Sequence, residues 1–365
     1  MKILVYLAHP AHFHLFKNTL LFLKKNKHDI VITMKTKDVL EELLIENNMS
    51  YVNIQEKGRR GSKLGLAKGL VQRWYNHCKL MKNNKFDIAI SSAGEIAPFT
   101  KLFNIPFINV FEDDLTLFPL YSKLIIPFVD CLVVPEVCNT NGWDSKAIFY
   151  SGNQELAYLH PSVFKPDIKI AQKYIDISRK NFIIRFSKLD AWHDSGRTGI
   201  TEQVFNHLIE IIKNEGNILI TAEGDLKPEY MTYRLNIPAR DIHHILYFAD
   251  LFIGDSQTMT AEASVLGTPS IRFNDFVGEI GYLEELETKY KLAYGIKTTS
   301  VELFYATVKQ LISSDIKNQF KVRRSNFLKD KIVVSSFLNW VIENYPKSTK
   351  IMKEKPAYQN RFRQC

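Results

Sequence analysis

The sequence predicts an α/β protein of two consecutive domains, each with a parallel β-sheet covered by helices. Short apolar runs of strand length alternate with longer segments of helical periodicity, which is typical of parallel sheets. The alternation breaks once, between residues 135 and 166, where Gly, Asn, Pro and aromatic residues follow no clear period. A length of 365 residues also suits two domains of ordinary size.

The first set of elements begins with Ile3–Ala8, an almost wholly apolar segment typical of a central parallel strand. The segment His9–His14 is predicted to be the loop that follows it. Further strands are predicted at Asp29–Met34, Tyr51–Ile54, Asp87–Ser91, Pro106–Phe111 and Cys131–Val134, and helices at Leu15–Lys25, Asp38–Asn47, Leu64–Met81, Glu95–Phe103 and Leu115–Pro127.

The second set follows the break. Its predicted strands are Phe182–Phe186, Asn217–Thr221, Leu251–Ile253 and Ser270–Phe273, and its helices are Ile200–Asn214, Asp241–Phe248, Thr258–Leu266, Gly281–Tyr290, Ser300–Ser313 and Val333–Asn344. The predicted domains are therefore 1–150 and 151–345, followed by a basic tail at 346–365. Because ligands bind at the carboxyl ends of parallel strands, two such sheets facing each other would enclose a cleft.

The composition indicates a globular protein of the reducing cytoplasm. Hydrophobic residues make up 45% of the chain, and no run approaches the roughly 18 apolar residues of a membrane-spanning helix. The first residues enter a strand directly and lack the long apolar region of a secretory signal. The four cysteines, Cys78, Cys131, Cys138 and Cys365, follow neither a metal-binding nor a disulfide spacing.

The net charge of +9 is concentrated in two segments. Residues 55–86 contain nine Lys and Arg against one Glu, and the tail 346–365 contains six against one. These segments are either solvated basic surfaces or a landing patch for anionic lipid or another polyanion, which would place the protein at the inner face of the cell membrane. Nucleic acid is disfavoured, because the sequence has no known nucleic-acid motif and no regular aromatic interleaving.

The stretch from Leu251 to Phe273 is the clearest candidate for a binding site. An apolar strand leads into the turn Gly254-Asp255-Ser256, in which Asp255 or Ser256 can cap the helix that follows. The backbone N–H groups at such a helix start, together with the helix dipole, bind phosphate. Glu262 lies one turn into the helix and could reach a pair of hydroxyl groups. The alternative is an ordinary strand–turn–helix unit.

Residues Gly254 to Pro269, GDSQTMTAEASVLGTP, resemble the nucleotide-sugar motif of GT-B-fold enzymes. Among these, the UDP-N-acetylglucosamine 2-epimerases and the lipid II-forming N-acetylglucosaminyltransferase are similar. The chain to about Tyr294 also resembles the domain-of-unknown-function 354 family, whose bacterial and archaeal members are often labelled predicted glycosyltransferases. The segments that carry this resemblance are Pro10–Lys17, Glu155–Pro161, Arg185-Phe186, Trp192–Asp194, Ile237–His244 and Gly281–Leu286. It implies a GT-B fold, with two Rossmann-like domains facing across a cleft.

The resemblance implies that the C-terminal domain holds a sugar nucleotide. Ser256 and the backbone amides of Gln257 and Thr258 would bind the diphosphate, and Glu262 the ribose. The segment ending at His244 would lie near the base. Arg185 and Arg272 each lie at a strand end and are candidates to offset the diphosphate charge. For Arg185 the alternative is a surface ion pair.

The N-terminal domain would supply the acceptor side and the catalytic groups. His12 lies where a related transferase has a histidine, and Glu112 occupies the position of a catalytic glutamate of the epimerases. Adjacent carboxylates such as Glu112 and Asp113 raise one another's pKa, which suits a general base. The alternative is a helix start before Leu115, where acidic residues favour the dipole. His9, His12 and His14 match no standard metal site, so no metal and no cofactor are expected.

The epimerase pattern is incomplete in this sequence. The acidic residue expected after the fourth strand is missing, although Glu95 is near, and Gln257-Thr258 replaces a Gly-Gly pair. The predicted function is therefore transfer of a sugar from a nucleotide-diphosphate sugar to a glycan or lipid-linked acceptor in surface-polysaccharide assembly. The alternatives are a sugar-nucleotide 2-epimerase and a non-catalytic nucleotide-sugar-binding or assembly protein.

Overall fold

The computed structural model describes residues 1–55, 63–186, 199–222, 226–313 and 316–363. They form two compact units: Met1–Tyr158 together with Ile332–Cys365, and Leu159–Lys331. The motif segment Trp192–Asp194 lies outside the described residues. None of the helices within the described ranges is long and apolar enough to cross a membrane.

Seven described strands of the first unit form one parallel sheet in the order β3-β2-β1-β4-β5-β6-β7. They are β1 (Lys2–Leu7), β2 (Asp29–Lys35), β3 (Tyr51–Gln55), β4 (Ile88–Ser91), β5 (Phe107–Val110), β6 (Cys131–Pro135) and β7 (Ala147–Tyr150). The strand order reverses between β1 and β4, which are neighbours in the sheet. Such a reversal opens a crevice at the carboxyl ends of the two strands, where ligands bind in open parallel sheets.

Helices cover this sheet and complete the first unit. They are α1 (Pro10–Lys25), α2 (Leu40–Glu46), α3 (Lys63–Asn83), α4 (Ala97–Leu102), α5 (Pro119–Leu124) and α6 (Leu156–Leu159). Two helices from the C-terminal end, Val334–Glu343 and Lys347–Glu354, also belong to this unit, and α6 includes Tyr158, the last residue of the unit's first part. Leu15, Phe16, Leu20 and Leu23 form the buried stripe of α1 at helical spacing.

The C-terminal segment belongs to the first unit because its side chains form hydrogen bonds with residues of that unit. Glu343 accepts a hydrogen bond from Asn26 Nδ2 at 2.8 Å and lies 3.1 Å from His28 Nε2. Lys353 donates to the carbonyl of Ser145 at 2.5 Å. Residues 332–345 are predicted above to close the second domain and 346–365 to form a separate tail, so the contacts of this segment give a different division of the chain.

The second unit has its own parallel sheet, whose five described strands run in the order β12-β11-β10-β8-β9. They are β8 (Asn181–Phe186), β9 (Asn217–Ala222), β10 (Leu251–Gly254), β11 (Ser270–Phe273) and β12 (Ala293–Ile296). Its helices are α7 (Ile168–Ala171), α8 (Glu202–Ile212), α9 (Ile242–Phe248), α10 (Gln257–Leu266), α11 (Gly281–Glu284), α12 (Val301–Ser313) and α13 (Lys317–Asp330); the two C-terminal helices of the first unit are accordingly α14 and α15. Here the strand order reverses between β8 and β10.

The structure differs from the predicted elements at several points. Residues 9–14 are not a loop: His9 caps α1, which begins at Pro10, so His12 and His14 lie on the helix. The segment 135–166 contains β7, and β12 and α13 were also missed. The predicted helix Leu115–Pro127 is broken, because a proline inside a helix removes a hydrogen bond and clashes with the preceding turn. Pro119 instead starts α5, and Pro127 lies in a separate 3₁₀ turn.

Candidate functional site

The strand reversal of the second unit brings Arg185 and Gly254 side by side. They are paired residues at the ends of β8 and β10, and the carbonyl of Arg185 accepts a hydrogen bond from the N–H of Asp255 at 3.4 Å. A Cβ on Gly254 would lie 2.9 Å from the Phe252 ring and 3.1 Å from the Arg185 carbonyl oxygen, so a larger residue is disfavoured there. The partly exposed Arg185 side chain therefore lies beside the turn that enters α10.

Ser256 caps α10, as the sequence allowed. Its backbone is extended, with φ −78° and ψ 123°, and its hydroxyl accepts a hydrogen bond from Met259 N at 3.4 Å. The amides of Gln257 and Thr258 belong to the first turn, which has no acceptors within its own helix. Gly267 ends the helix at φ 85°, in the left-handed region that glycine favours. The helix start is therefore a place where backbone donors and a positive dipole end meet.

Asp255 has a structural role in the same turn. Only 4% of its surface is exposed, and its carboxylate accepts a hydrogen bond from Ile200 N at 3.4 Å. Its backbone carbonyl accepts another from Asn274 Nδ2 at 2.8 Å. Asp255 is therefore held inside the unit, where it joins the turn to the segment before α8, whereas Ser256, Gln257 and Thr258 are partly exposed.

Glu262 faces His243, a residue that the sequence analysis missed. Glu262 is 6% exposed, and its Oε1 lies 3.0 Å from His243 Nε2. The neighbouring His244 faces elsewhere: its Nδ1 accepts from Asp167 N at 2.9 Å, and burial lowers the pKa of its imidazole. The two adjacent histidines share one motif, and only the packing of α9 shows which of them meets Glu262.

Arg272 is fully buried, which was not expected of a side chain predicted to offset the charge of a diphosphate. Its side chain is 0% exposed, with Nε 2.8 Å and Nη2 3.1 Å from the two carboxylate oxygens of Glu287. Glu287 lies in a π-helical turn, Glu285–Lys289, and Gly295 leaves the room that its carboxylate occupies. Glu287 pairs with Nε and Nη2 of Arg272, whereas no partner among the described residues meets its Nη1. Arg272 is fully buried and Arg185 is partly exposed, so Arg185 is the better placed of the two arginines to meet a ligand.

In the first unit, His12 lies at the reversal between β1 and β4. Its Nδ1 accepts a hydrogen bond from the N–H of Ala8 at 3.3 Å, so the ring proton of the neutral imidazole is on Nε2. Burial, with the nearby His9 and Lys35, lowers the pKa of His12 to about 3. His12 is thus a neutral hydrogen-bond donor at neutral pH, and this tautomer does not suit a general base.

Glu95, the nearest acidic residue to the end of β4, is already paired. Arg73 Nε and Nη2 lie 2.8 Å and 3.1 Å from its two oxygens, and the hydroxyl of Tyr6 donates to it. Burial alone would raise the pKa of Glu95, but Lys35, Arg73 and the Tyr6 hydroxyl together hold it below its ordinary value. The arrangement keeps Glu95 ionised and ties α3 to the sheet.

Glu112, Asp113 and Asp114 follow β5 and differ in their surroundings. Asp114 accepts from Asn139 N at 2.7 Å and caps no helix through its side chain, so the predicted capping alternative does not hold for it. Burial, with the charge of Asp114, raises the pKa of Asp113 to about 7. Burial, with the charges of Asp113 and Glu155, raises the pKa of Glu112 well above its ordinary value. No group of three His, Cys, Asp or Glu in the described ranges is arranged to hold a metal ion.

Known structures with the same fold span nearly the whole chain. S. aureus MnaA, in a co-structure with UDP, is 13% identical with a TM-score of 0.69, covering 95% of this chain and 97% of that one. UDP-GlcNAc 2-epimerase from Neisseria meningitidis, bound to UDP-GlcNAc, is 13% identical with a TM-score of 0.64, covering 97% and 99%. Spinosyn rhamnosyltransferase SpnG, complexed with thymidine diphosphate, is 12% identical with a TM-score of 0.61, covering 94% and 100%. These likenesses show the fold.

The family comparison matches over a similar extent. No curated protein matches the sequence significantly. A family profile described as "Protein of unknown function (DUF354)" matches residues 1–337. Because that match spans most of the 365 residues, and because solved GT-B structures share the fold over nearly the whole chain, this chain is a GT-B-fold protein that belongs to the DUF354 family.

Proposed function

We propose that this protein is a glycosyltransferase that moves a sugar from a nucleotide-diphosphate sugar to an acceptor hydroxyl. The observation that carries the proposal is the capped start of α10, which lies at the strand reversal of the second unit beside Arg185. A helix start and a guanidinium at the carboxyl edge of a parallel sheet together form a binding place for a dianionic diphosphate.

The donor would bind the second unit through these groups. Ser256 and the first-turn amides of α10 would hold the diphosphate, with Arg185 offsetting its charge. Glu262 would accept hydrogen bonds from the ribose hydroxyls, and His243, 3.0 Å from it, would orient its carboxylate. Charge develops on the departing diphosphate during transfer, so the same groups would stabilise the transition state.

The acceptor chemistry is assigned to the first unit. During transfer the acceptor oxygen attacks the anomeric carbon, its proton goes to a base, and the nucleoside diphosphate leaves with the electron pair of the broken C–O bond. A base works best with a pKa near the operating pH, which favours Asp113, whose pKa is about 7, with Glu112 beside it. His12 would instead donate a hydrogen bond from Nε2, since its Nδ1 accepts from the backbone.

A sugar-nucleotide 2-epimerase is the second candidate, and one structural neighbour bound to UDP-GlcNAc favours it. An epimerase needs further acid–base groups, and Glu95, which is held ionised by Arg73, is poorly suited to proton transfer. Transfer therefore remains the preferred function. A non-catalytic nucleotide-sugar-binding protein would bind the donor in the same way without turnover.

We also propose that the first unit contacts an anionic membrane through α3, which would suit a lipid-linked acceptor. Val71 and Tyr75 are 59% and 68% exposed, and Lys79 and Lys82 continue the same helical face. Residues 56–62 of the basic segment lie outside the described residues. Sedimentation with anionic and with neutral vesicles tests this proposal: binding to both equally, or to neither, would contradict it.

The donor proposal is tested first by thermal unfolding in the presence of UDP, TDP, GDP, ADP and CDP, because a ligand of the native state raises its Tm. A stabilising nucleotide then guides turnover assays with its sugar derivatives and acceptor extracts. Arg185→Ala should abolish most of the nucleotide-induced shift. Arg179→Ala is the matched control, because Arg179 is an exposed arginine just before the opposite end of β8.

Two outcomes separate the candidate functions. Incorporation of solvent deuterium at the sugar carbon next to the anomeric centre, with donor alone, would identify an epimerase. Saturable nucleotide binding without turnover of any donor would identify a binding protein. Retention of the full nucleotide-induced shift in both Arg185→Ala and Glu262→Ala would remove the donor-site assignment.

A further inference from the structure

Several buried polar atoms near the carboxyl edge of the first unit's sheet lack hydrogen-bond partners among the described residues, although the other end of one of these groups, Gln154 Nε2, donates to Glu155 Oε1 at 3.5 Å. Tyr150 ends β7, and the segment Ser151–Glu155 follows it. Tyr150, Asn153 and Gln154 are 0%, 3% and 1% exposed. Five of these buried atoms have no hydrogen-bond partner within the part of the chain that the structure describes: Tyr150 OH, Asn153 Nδ2, Asn153 Oδ1, Gln154 Oε1 and Glu112 Oε2.

Asn153 and Gln154 follow Tyr150 closely along the chain, and Glu112 follows a strand of the same sheet. The strand ends of β5, β6 and β7 are neighbours in the sheet, with Pro135 of β6 paired to Tyr150. The charges of Glu112 and Glu155 act on the Tyr150 hydroxyl, and they act on each other. Glu112 in turn is joined to the end of β6, because its carbonyl accepts from Cys138 Sγ at 3.0 Å. We call Glu112, Tyr150, Asn153 and Gln154 the polar pocket.

The backbone around the polar pocket is firmly held. The N–H of Ser151 donates to Gln359 Oε1 at 2.7 Å, and the Ser151 hydroxyl donates to Glu136 Oε1 at 2.8 Å. The Ser151 carbonyl accepts from Ile332 N at 3.0 Å, and Gly152 packs against Val334. The C-terminal segment of the chain thus fixes residues 151–152. Loose packing does not explain the missing partners, because the adjoining backbone is so well satisfied.

Buried polar atoms without partners are unfavourable and rare in native proteins, so each calls for an explanation such as an ordered water, an ion or a bound ligand. The atoms of the polar pocket comprise both kinds of group: Asn153 Nδ2 donates, Gln154 Oε1 accepts, and Tyr150 OH and the Glu112 carboxyl, whose pKa is raised, can do both. A hydroxyl group also donates and accepts. An ammonium group only donates, so it would leave Asn153 Nδ2 unsatisfied.

We propose that the polar pocket binds the hydroxyl groups of a sugar, as the acceptor subsite of the first unit. This inference rests on the proposed function for its place in the reaction, because it identifies the acceptor as a carbohydrate whose hydroxyls reach Glu112. The binding itself requires no nucleotide. Glu112 forms a hydrogen bond with one hydroxyl, and Tyr150 and Asn153 bind its neighbours.

The test compares two Tyr→Phe variants in the full-length protein. Tyr150→Phe removes a buried hydroxyl without a partner among the described residues, so its Tm should equal or exceed that of the wild type. Tyr121→Phe is the matched control: its hydroxyl donates to Asn109 Oδ1 at 2.9 Å, so its removal should lower the Tm. A lower Tm for Tyr150→Phe would show that the hydroxyl serves a structural water network, which would overturn the proposal.

Sugar binding is measured with free glucose, N-acetylglucosamine and glucosamine by saturation-transfer NMR. We expect one of the two neutral sugars to bind wild type and Tyr121→Phe alike, and Tyr150→Phe roughly tenfold more weakly, as the loss of one hydrogen bond predicts. Binding of protonated glucosamine alone, or of no sugar, would contradict the proposal. UDP binding by the wild type is measured in parallel. A wild-type protein that binds the sugar but not UDP would refute the proposed donor site and still support the polar pocket.

Discussion

The buried pair Arg272–Glu287 allows a stability prediction that also decides between two roles for Arg272. In Arg272→Met, Glu287 would keep its buried position, 7% exposed in the side chain, without its partner. Removing one member of a buried, hydrogen-bonded ion pair lowers the free energy of unfolding by about 3–5 kcal/mol. For a unit of this size, that loss corresponds to a fall in Tm of roughly 6–20 °C.

The assay is urea unfolding followed by circular dichroism, with the transition of the second unit fitted separately. The double variant Arg272→Met/Glu287→Met should recover most of the lost stability, because apolar residues that replace both members of a buried pair are often neutral. The control is Lys213→Ala, which breaks the exposed pair with Glu210 and should change the free energy of unfolding by less than about 1 kcal/mol.

Two results would refute this reasoning. A loss below about 1 kcal/mol in Arg272→Met would show that Glu287 is not left as an unpaired buried charge. If Arg272→Met kept its stability but lost the nucleotide-induced Tm shift, Arg272 would be the diphosphate ligand, as the second of the two arginines that the sequence offered as candidates.

Three further predictions concern Asp113, Ser256 and Gly295. If Asp113 is the base, its raised pKa leaves it protonated below about pH 7, so turnover should fall as the pH drops through 7, and Asp113→Asn should be inactive over the whole pH profile. Ser256→Ala should lower the free energy of unfolding by roughly 0.5–2 kcal/mol and weaken nucleotide binding, whereas Ser256→Thr should keep both in urea unfolding and nucleotide titrations. Gly295→Ala should destabilise the protein in a Tm measurement, since its new Cβ would collide with the Glu287 carboxylate; an unchanged Tm would contradict this placement.

Local sequence patterns predicted most of the elements around the proposed donor site. The strand at 251, the cap at Ser256 and the stop at Gly267 are each determined by residues within a few positions, so the sequence was enough to place α10. The segment His9–His14 was wrongly predicted to be a loop, and the reason is equally local. His9 is an uncommon helix cap, and Pro10 after it suits the first helical position. β7 was missed because its four residues lie in a segment without periodicity, and it is defined by pairing with β6.

From its residues alone the chain could be identified as a two-sheet α/β protein with a capped helix start at Ser256, because strand length, helical period and capping are local properties. Which charged side chains are already paired could be seen only once the chain was folded. Arg272 forms an ion pair with Glu287, and Glu95 forms one with Arg73. The members of each pair are distant in sequence, so the spacing of residues along the chain could not predict these pairs. The same folding put Tyr150 and Glu112 at one edge of the sheet, where β7 and β5 end on either side of β6.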